Sequence, residues 1–455
     1  MSGAASIPPW SSSTGPRIGY HPLPSSSPEP LKCYIGIDLG TSGCRGIAIG
    51  DQAQVIAESS IALPLPESPH PGYSQQDPRL WWDAVMRILK VLGQACHGNT
   101  LEAIAVDGTS STLLLSDDRG TPLTDGLMYN DSRGHDVLSR LRMLAPTDSP
   151  VLSASSSLAK LLHLCKTVST RPIHALHQAD WIMGKLCNQF PLSDENNCLK
   201  LGYDPINRRW PSWMKALDLP EESLPKVYPS ATAVGTLSKA VAAETGFPTT
   251  TKVVTGTTDS NAAFLATGAS EIGDAVTSLG STLVLKILSD TPVFASEYGV
   301  YSHRMGDLWL VGGASNSGGA VCRAFFTDEQ MIELSARLEP TQPTGLEYYP
   351  LLTPGERFPV NDREFPPKLT PRPESDVSFF QGILEGLTQI ERDGYRLLHR
   401  LGAPKPQRIL SIGGGAANEP WRIMRESVIG IPITRAAQQA AAYGVALLAR
   451  QGGKN

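Results

Sequence analysis

The stretch "YIGIDLGTSGCRGIAI", Tyr34–Ile49, sets one carboxylate, Asp38, and two hydroxyls, Thr41 and Ser42, between two short apolar runs. The runs read as buried strands and the residues between them as a tight hairpin, with Gly40 and Gly43 giving the turn its backbone freedom. Such a turn leaves several N–H groups free and close together, with hydroxyl donors beside them, an arrangement suited to phosphate oxygens. A carboxylate next to phosphate needs a cation between them, so Mg²⁺ or a neutral hydroxyl is the expected partner of Asp38. The segment "DAVTSLGSTLVLKIL" repeats the pattern of strand, Gly-Ser-Thr turn and strand, and "GGG" follows the later strand "RILSI". One such turn alone is an ordinary hairpin. Two of them facing each other would hold the phosphate tail of a nucleotide from both sides. A second acid, Asp259 in "TGTTDSNAAFLATGA", falls where the strand "KVVTG" gives way to a helix. There a carboxylate can cap the helix or do catalysis, and both readings stand at this point.

Other chemistries lack their residues. There is no G-x-x-x-x-G-K-[ST] phosphate loop, no G-x-G-x-x-G after a strand, no G-x-S-x-G elbow and no His-Glu-x-x-His. His174, His177 and Asp180 in "HALHQAD" have the spacing of one helix face, a local hint of a metal site set against a structural role. The formal net charge of −5 gives no electrostatic reason to expect nucleic acid or an anionic membrane surface. No run of about 18 apolar residues is present, so no membrane span is expected. Seven scattered cysteines without a Cys-x-x-Cys pattern read as reduced thiols. Residues 1–31 are rich in Ser and Pro with no apolar period and read as a disordered tail. A cytoplasmic protein is expected, with a plastid transit peptide as the alternative reading of that tail.

The elements that must position the two acids alternate from Lys32 onward. "DPRLWWDAVMRILKVLGQA" predicts a helix with Pro78 near its start and Trp81, Trp82, Val85, Ile88, Leu89 and Leu92 at helical spacing. "LEAIAVDGTSSTLLLSDDRG" predicts a strand, a turn and a second strand. "SFFQGILEGLTQIERDGYRLLHRL" predicts a long amphipathic helix and "QQAAAYGVALLAR" a closing one. Two units that each open on a glycine-hydroxyl hairpin predict a duplicated α/β fold with a cleft between halves.

Taken together, these segments resemble the FGGY carbohydrate kinases, from Tyr34 to about Leu448. "GIDLGTSGCRGIAI" and "TSLGSTLVL" look like the family's two phosphate hairpins. "GYSQQDPRLWW", "LMYNDSRG", "GTTDSNAAFLATGA", "YYPLLTPGERFP" and "GGGAANEPWRIM" look like its further motifs in order. The resemblance implies an actin-like (ribonuclease H-like) ATPase fold of two domains. A sugar-binding domain would comprise residues 32–266 plus 440–455, and a nucleotide-binding domain residues 267–439. It implies ATP as co-substrate with Mg²⁺, a small-molecule sugar as acceptor, and neither nucleic acid nor membrane as partner. Asp259 would take the proton of the sugar hydroxyl, and Asp38 would hold the sugar and, indirectly, the Mg-nucleotide, with Thr41 at the γ-phosphate. Ser42, Gly43, Cys44, Arg45 and Ser110 would line the sugar site. Gly280, Ser281, Gly313, Gly414, Gly415, Asn418 and Trp421 would line the nucleotide site. Ser110 and Ser111 stand where bacterial xylulokinases usually carry Met-His, which resembles the branch of cyanobacterial and plant D-ribulose kinases. D-Ribulose is therefore the expected acceptor. D-Xylulose, a polyol, or weak or absent kinase activity are the alternatives, and an actin- or chaperone-like nucleotide switch is a reading from another class. Ala417 and Gln439 replace the usual polar and acidic residues at the nucleotide end, which implies lower ATP affinity or another nucleotide.

Overall fold

The computed structural model describes residues 17–20, 31–168 and 173–454. Two mixed sheets dominate. The first has seven strands: β1 (Arg17–Tyr20), β2 (Lys32–Leu39), β3 (Gly43–Gly50), β4 (Val55–Ala62), β5 (Thr100–Gly108), β6 (Ala233–Thr236) and β7 (Lys252–Val254). Their order across the sheet is β1-β4-β3-β2-β5-β7-β6. The second has six: β8 (Asp274–Leu279), β9 (Leu283–Ser289), β10 (Tyr301–Met305), β11 (Leu308–Ala314), β12 (Arg408–Ile412) and β13 (Ile433–Arg435), in the order β10-β11-β9-β8-β12-β13. In each, an antiparallel hairpin leads to a parallel neighbour: β2–β3 with β5, and β8–β9 with β12. The two hairpins therefore sit at equivalent places in separate sheets. The β2 run Cys33–Leu39 is buried throughout, which explains its unbroken apolar sequence, since parallel strands covered on both faces show no alternation.

One stretch departs from expectation. Within the N-terminal segment read as a disordered tail, Arg17–Tyr20 pair antiparallel with Ser60–Ala57 of β4. An edge strand offers a row of unpaired N–H and C=O groups, and a nearby extended segment satisfies them whatever its composition. Residues 1–16 and 21–30 of that segment lie outside the described residues.

Among the described residues the α-helices of eight residues or more are α1 (Pro78–Ala95), α2 (Ser157–Leu164), α3 (Gln178–Cys187), α4 (Asp259–Ala266), α5 (Asp328–Ser335), α6 (Asp376–Arg400), α7 (Glu419–Ile429) and α8 (Ala441–Lys454). Asp77 caps α1 by accepting from the Arg79 N–H, and Pro78 occupies its first turn. Trp81, Val85, Ile88, Leu89 and Leu92 are buried in the core of the first sheet. Gly46 of β3 is needed there, because a Cβ would stand 2.4 Å from Ile88 Cγ2.

Helix α8 packs on the first sheet, in one apolar cluster with Tyr34, Ile47 and Ala105. The approach is very close: a Cβ on Gly36 would stand 2.1 Å from the Ala442 carbonyl oxygen, and one on Gly444 1.8 Å from that of Ala262. The strand that carries Asp38 and the helix that begins with Asp259 are thus clamped by one element. Among the described residues no helix is long and apolar enough to cross a membrane.

Candidate functional site

The β2–β3 hairpin pairs Asp38 with Arg45 and Leu39 with Cys44, and the Gly40 N–H closes the turn on the Gly43 carbonyl at 2.9 Å. Thr41 is half-buried and Ser42 exposed at the tip, while Gly43 and Cys44 are buried. Asp38 is buried, and its Oδ2 accepts from Arg45 Nη1 at 3.2 Å. In the parallel pairing of β2 with β5, Asp38 stands opposite Asp107. Asp107 is fully buried and neither of its oxygens has a hydrogen-bond partner. Burial first, then the Asp38 charge ahead of the Asp259 charge, push its carboxyl well above the ordinary range.

Gly108, the last residue of β5, bridges Thr258, and this brings the start of α4 to the same strand ends. Thr258, not Asp259, holds the cap position, and it makes no side-chain cap bond. Asp259 is the first helical residue, its Oδ1 accepting from the Ser260 N–H at 2.6 Å. The cap position is thus held by Thr258, and Asp259 serves the first turn through the Ser260 N–H. Burial first, and the Asp38 charge second, push the Asp259 carboxyl up to about 6, against the pull of the Ser260 N–H, Lys286 and Lys200.

Ser110 follows the end of β5 and is half-buried. Its neighbour Ser111 has φ of 68°, a left-handed turn position. The turn is held from below by Lys160 of α2, which is fully buried. Its Nζ donates to the carbonyls of Ser111 at 2.8 Å and Met128 at 2.6 Å. Burial pushes Lys160 down to about 7.

Two cavities border the second sheet, and the first reaches these groups through Ser260. The first, of about 370 Å³, lies between the Ser149–Ser156 loop and the second sheet, lined by Lys200, Ser260, Lys286, Tyr301, His303 and Arg357 among others. The second, of about 410 Å³, is lined by Gly280 of the second hairpin, Met331 and Ile332 of α5, and Gly414, Gly415, Ala417, Asn418 and Trp421. Asn418 caps α7 by accepting from the Trp421 N–H at 3.0 Å, and its Nδ2 donates to Ser335 Oγ at 2.8 Å. Trp421 Nε1 donates to Thr388 Oγ1 at 3.0 Å. Gln439 accepts from the Gly413 N–H at 2.8 Å, so the amide still ties down the glycine turn.

Asp38, Arg45 and Asp259 come together at the strand ends, and Gly280, Gly414, Gly415, Asn418 and Trp421 share the second cavity. Ser281 is exposed at the tip of its hairpin. Gly313, expected in the nucleotide pocket, lines the first cavity instead. It belongs to β11, paired with Leu285 on the side of β9 away from β8. The residues of "HALHQAD" do not share a helix. His174–His177 is a strand, and His177 caps α3, with Nδ1 2.8 Å from Asp180 Oδ2 and Nε2 2.9 Å from Ser157 Oγ. They are structural. Four residues escaped the sequence reading: Asp107, Lys160, Lys200 and Lys286. A charged residue inside or beside a buried apolar run was the available signal.

Residues 33–266 match the FGGY family of carbohydrate kinases, N-terminal domain, and residues 275–451 match its C-terminal domain. A xylulose kinase of Escherichia coli is 26% identical over 424 residues, covering 87% of this chain and 85% of that protein. A xylulose kinase of Bacillus subtilis is 25% identical, covering 93% and 88%. The solved structure of xylulose kinase from Rhodospirillum rubrum superposes with a TM-score of 0.82 at 24% identity, covering 92% of this chain and 90% of that one. That of Plasmodium falciparum glycerol kinase with ADP superposes with a TM-score of 0.80 at 15% identity, covering 94% and 91%, and this likeness speaks for the fold. With both halves matched, the chain belongs to the FGGY family of carbohydrate kinases.

Proposed function

We propose that the protein transfers the γ-phosphoryl group of ATP to the terminal hydroxyl of a ketopentose, D-ribulose first among them. The observation that carries this reading is the crowding of Asp259 and Asp38 at the ends of β2 and β5 beneath the first hairpin. A sugar hydroxyl is a poor nucleophile at neutral pH. A carboxylate titrating at about 6 is ionised there, yet basic enough to accept the proton as the bond to phosphorus forms. Asp38, fixed by Arg45, orients the acceptor. The backbone N–H groups of the two hairpins and the Thr41 hydroxyl neutralise the transferring group, which is most of what phosphoryl transfer requires. Residues 32–266 with 440–455 would form the sugar-binding unit and residues 267–439 the nucleotide-binding unit, so that closing the cleft excludes water.

Among the described residues no three His, Cys, Asp or Glu side chains are grouped to hold a metal ion. Mg²⁺ would arrive with the nucleotide, held by phosphate oxygens and water with Asp38 as the nearby carboxylate. There it would supply charge neutralisation of the phosphates.

Two readings of the acceptor differ in their support. Ser110 and Ser111 in the β5 turn favour D-ribulose. The names of the relatives in Escherichia coli and Bacillus subtilis favour D-xylulose. The test is ADP release by purified protein with Mg-ATP and D-ribulose, D-xylulose and a set of polyols. D-Ribulose is expected to give the highest kcat/KM. A higher value for D-xylulose transfers the assignment, and no turnover with any acceptor overturns the kinase reading.

A further inference from the structure

The first cavity carries positive charge for which a neutral pentulose offers no partner. Lys286 of β9 reaches across the cleft, and its Nζ donates to Ser260 Oγ at 2.9 Å and Asn261 Oδ1 at 2.7 Å. Lys200 stands over the Tyr301 ring at 5.1 Å from its centroid. Arg357 Nε donates to the Ala314 carbonyl at 2.6 Å. These hydrogen-bond and ring partners are neutral, and the carboxylate whose charge acts on Lys286 and Lys200 is that of Asp259. Of the lining residues only Asp148 bears a carboxylate. His303, in the same wall, is 7% exposed, and its Nδ1 has no hydrogen-bond partner. Burial, and the like charge of Lys200, push Lys286 down to about 7 despite the nearby Asp259. Burial, then Lys286 and Lys200, also push His303 well down. Clustered cations partnered by neutral groups, beside a buried imidazole nitrogen with no partner, are what an absent anion leaves behind.

We propose that Lys200, Lys286 and His303 form a phosphate subsite in this cavity, which takes the phosphate ester of the ketopentose phosphate produced in the cleft. The proposal rests on the kinase reading for the identity of the ester. The geometry agrees with it, because Lys286 is bonded to Ser260 and Asn261, the two residues that follow Asp259. The hydroxyl that loses its proton to Asp259 becomes the ester oxygen, so the new phosphate forms next to the ammonium group. A cavity of about 370 Å³ falls within the range that holds small ligands. The charge-assisted bonds are strong ones, and the neutral acceptor cannot make them. The product is therefore held more tightly than the substrate and competes with it.

The test is titration calorimetry on the full chain without nucleotide, using D-ribulose 5-phosphate, D-ribulose and inorganic phosphate as separate probes. The sugar phosphate is expected to bind at least tenfold more tightly than the sugar. Lys200→Met and Lys286→Met should each weaken it at least tenfold while changing D-ribulose affinity less than twofold. Lys286→Arg should restore most of the loss. Inorganic phosphate that binds as tightly as the sugar phosphate and is lost in the same variants assigns the subsite to free phosphate and overturns the ester. Equal affinity for sugar and sugar phosphate overturns the subsite altogether. Should the Met variants not fold, thermal shifts of the unaltered protein decide: the sugar phosphate must raise Tm more than the sugar at equal concentration, and an equal rise overturns the proposal. A protein that turns over a pentulose but binds its phosphate no better keeps the kinase reading and loses this one. A protein that binds the sugar phosphate through both lysines but never turns over does the reverse.

Discussion

Replacing Asp259 by Asn should make the protein more stable and nearly inactive, and the gain in stability should depend on pH in a defined way. The Asp259 carboxyl is pushed up from an ordinary 3.8 to about 6 in the fold, first by burial and then by Asp38. A raised carboxyl favours the folded state below its unfolded pKa, and that advantage is lost as pH rises through the folded value. At neutral pH the fold therefore carries a charge it would rather not hold. Asparagine keeps the shape and the oxygen that accepts from the Ser260 N–H, but has no charge to bury. At 1.36 kcal/mol per unit, the shift predicts a gain of about 1.5 kcal/mol at pH 5 that grows to about 3 kcal/mol at pH 8 and then levels. The loss of the base should lower kcat by roughly a hundred- to ten-thousand-fold. Urea unfolding at pH 5, 6, 7 and 8, paired with ADP release on the same samples, reads both. A stability gain that is absent, or equal at pH 5 and pH 8, would refute the crowded-acid account. An Asn variant with near-full kcat would move the base elsewhere, with Asp38 the next candidate.

Three further outcomes follow from particular contacts. Ser110→Ala should raise KM for the ketose by about 0.5–1.5 kcal/mol, or roughly two- to tenfold, with kcat little changed; an unaltered KM for every sugar removes Ser110 from the site. Gly444→Ala should cost about 1–3 kcal/mol by overpacking, because the new Cβ would stand 1.8 Å from the Ala262 carbonyl oxygen; an unchanged Tm contradicts the close seating of α8 on α4. Asp274 is held down at about 2, chiefly by its two hydrogen bonds from Arg408. Its stabilisation is complete above its unfolded pKa and lost as pH falls toward 2. Arg408→Met should therefore flatten the acid limb of the unfolding curve between pH 4 and pH 2 and leave its slope near pH 7 unchanged.

What the sequence disclosed, and what it did not, divides along a physical line. The two hairpins were legible because their chemistry is local: the Gly, Thr and Ser residues that shape each turn are also the ones that expose its N–H groups. The buried face of α1 was legible because helical periodicity is a property of one segment. Asp107 was not legible. Nothing in "AIAVDG" says that this acid will lie opposite Asp38, since that follows from the parallel register of strands that start 68 residues apart, at Lys32 and Thr100. Lys286 escaped for the same reason, because its meaning lies in Ser260 and Asn261 across the cleft. Gly313 lines the first cavity because β11 joins β9 on the side away from β8, a matter of strand order rather than of motif. The His174–Asp180 spacing misled because a strand-to-helix junction at His177 breaks the periodicity that the face argument assumed.

The same division explains why the acids are costly. Asp38, Asp107 and Asp259 come from three distant segments, and each alone is an ordinary carboxylate. The clamp of α8 on β2 and α4, enforced by Gly36 and Gly444, presses two of those segments into one crevice. There the desolvation of each acid and the repulsion among them raise the Asp107 and Asp259 carboxyls. Asp107 is pushed up the further of the two, and Asp259 is left titrating at about 6, where an acceptor for a hydroxyl proton is useful. A helix that contributes no residue to the lining of either cavity thereby bears on the basicity of the group we assign as the base. Loosening that clamp, as Gly444→Ala would, should lower the Asp259 pKa toward its ordinary value. The acid limb of the kcat profile would then move to lower pH as stability falls, and a limb that stays near pH 6 in a destabilised Gly444→Ala protein would show that the crowding does not come from α8.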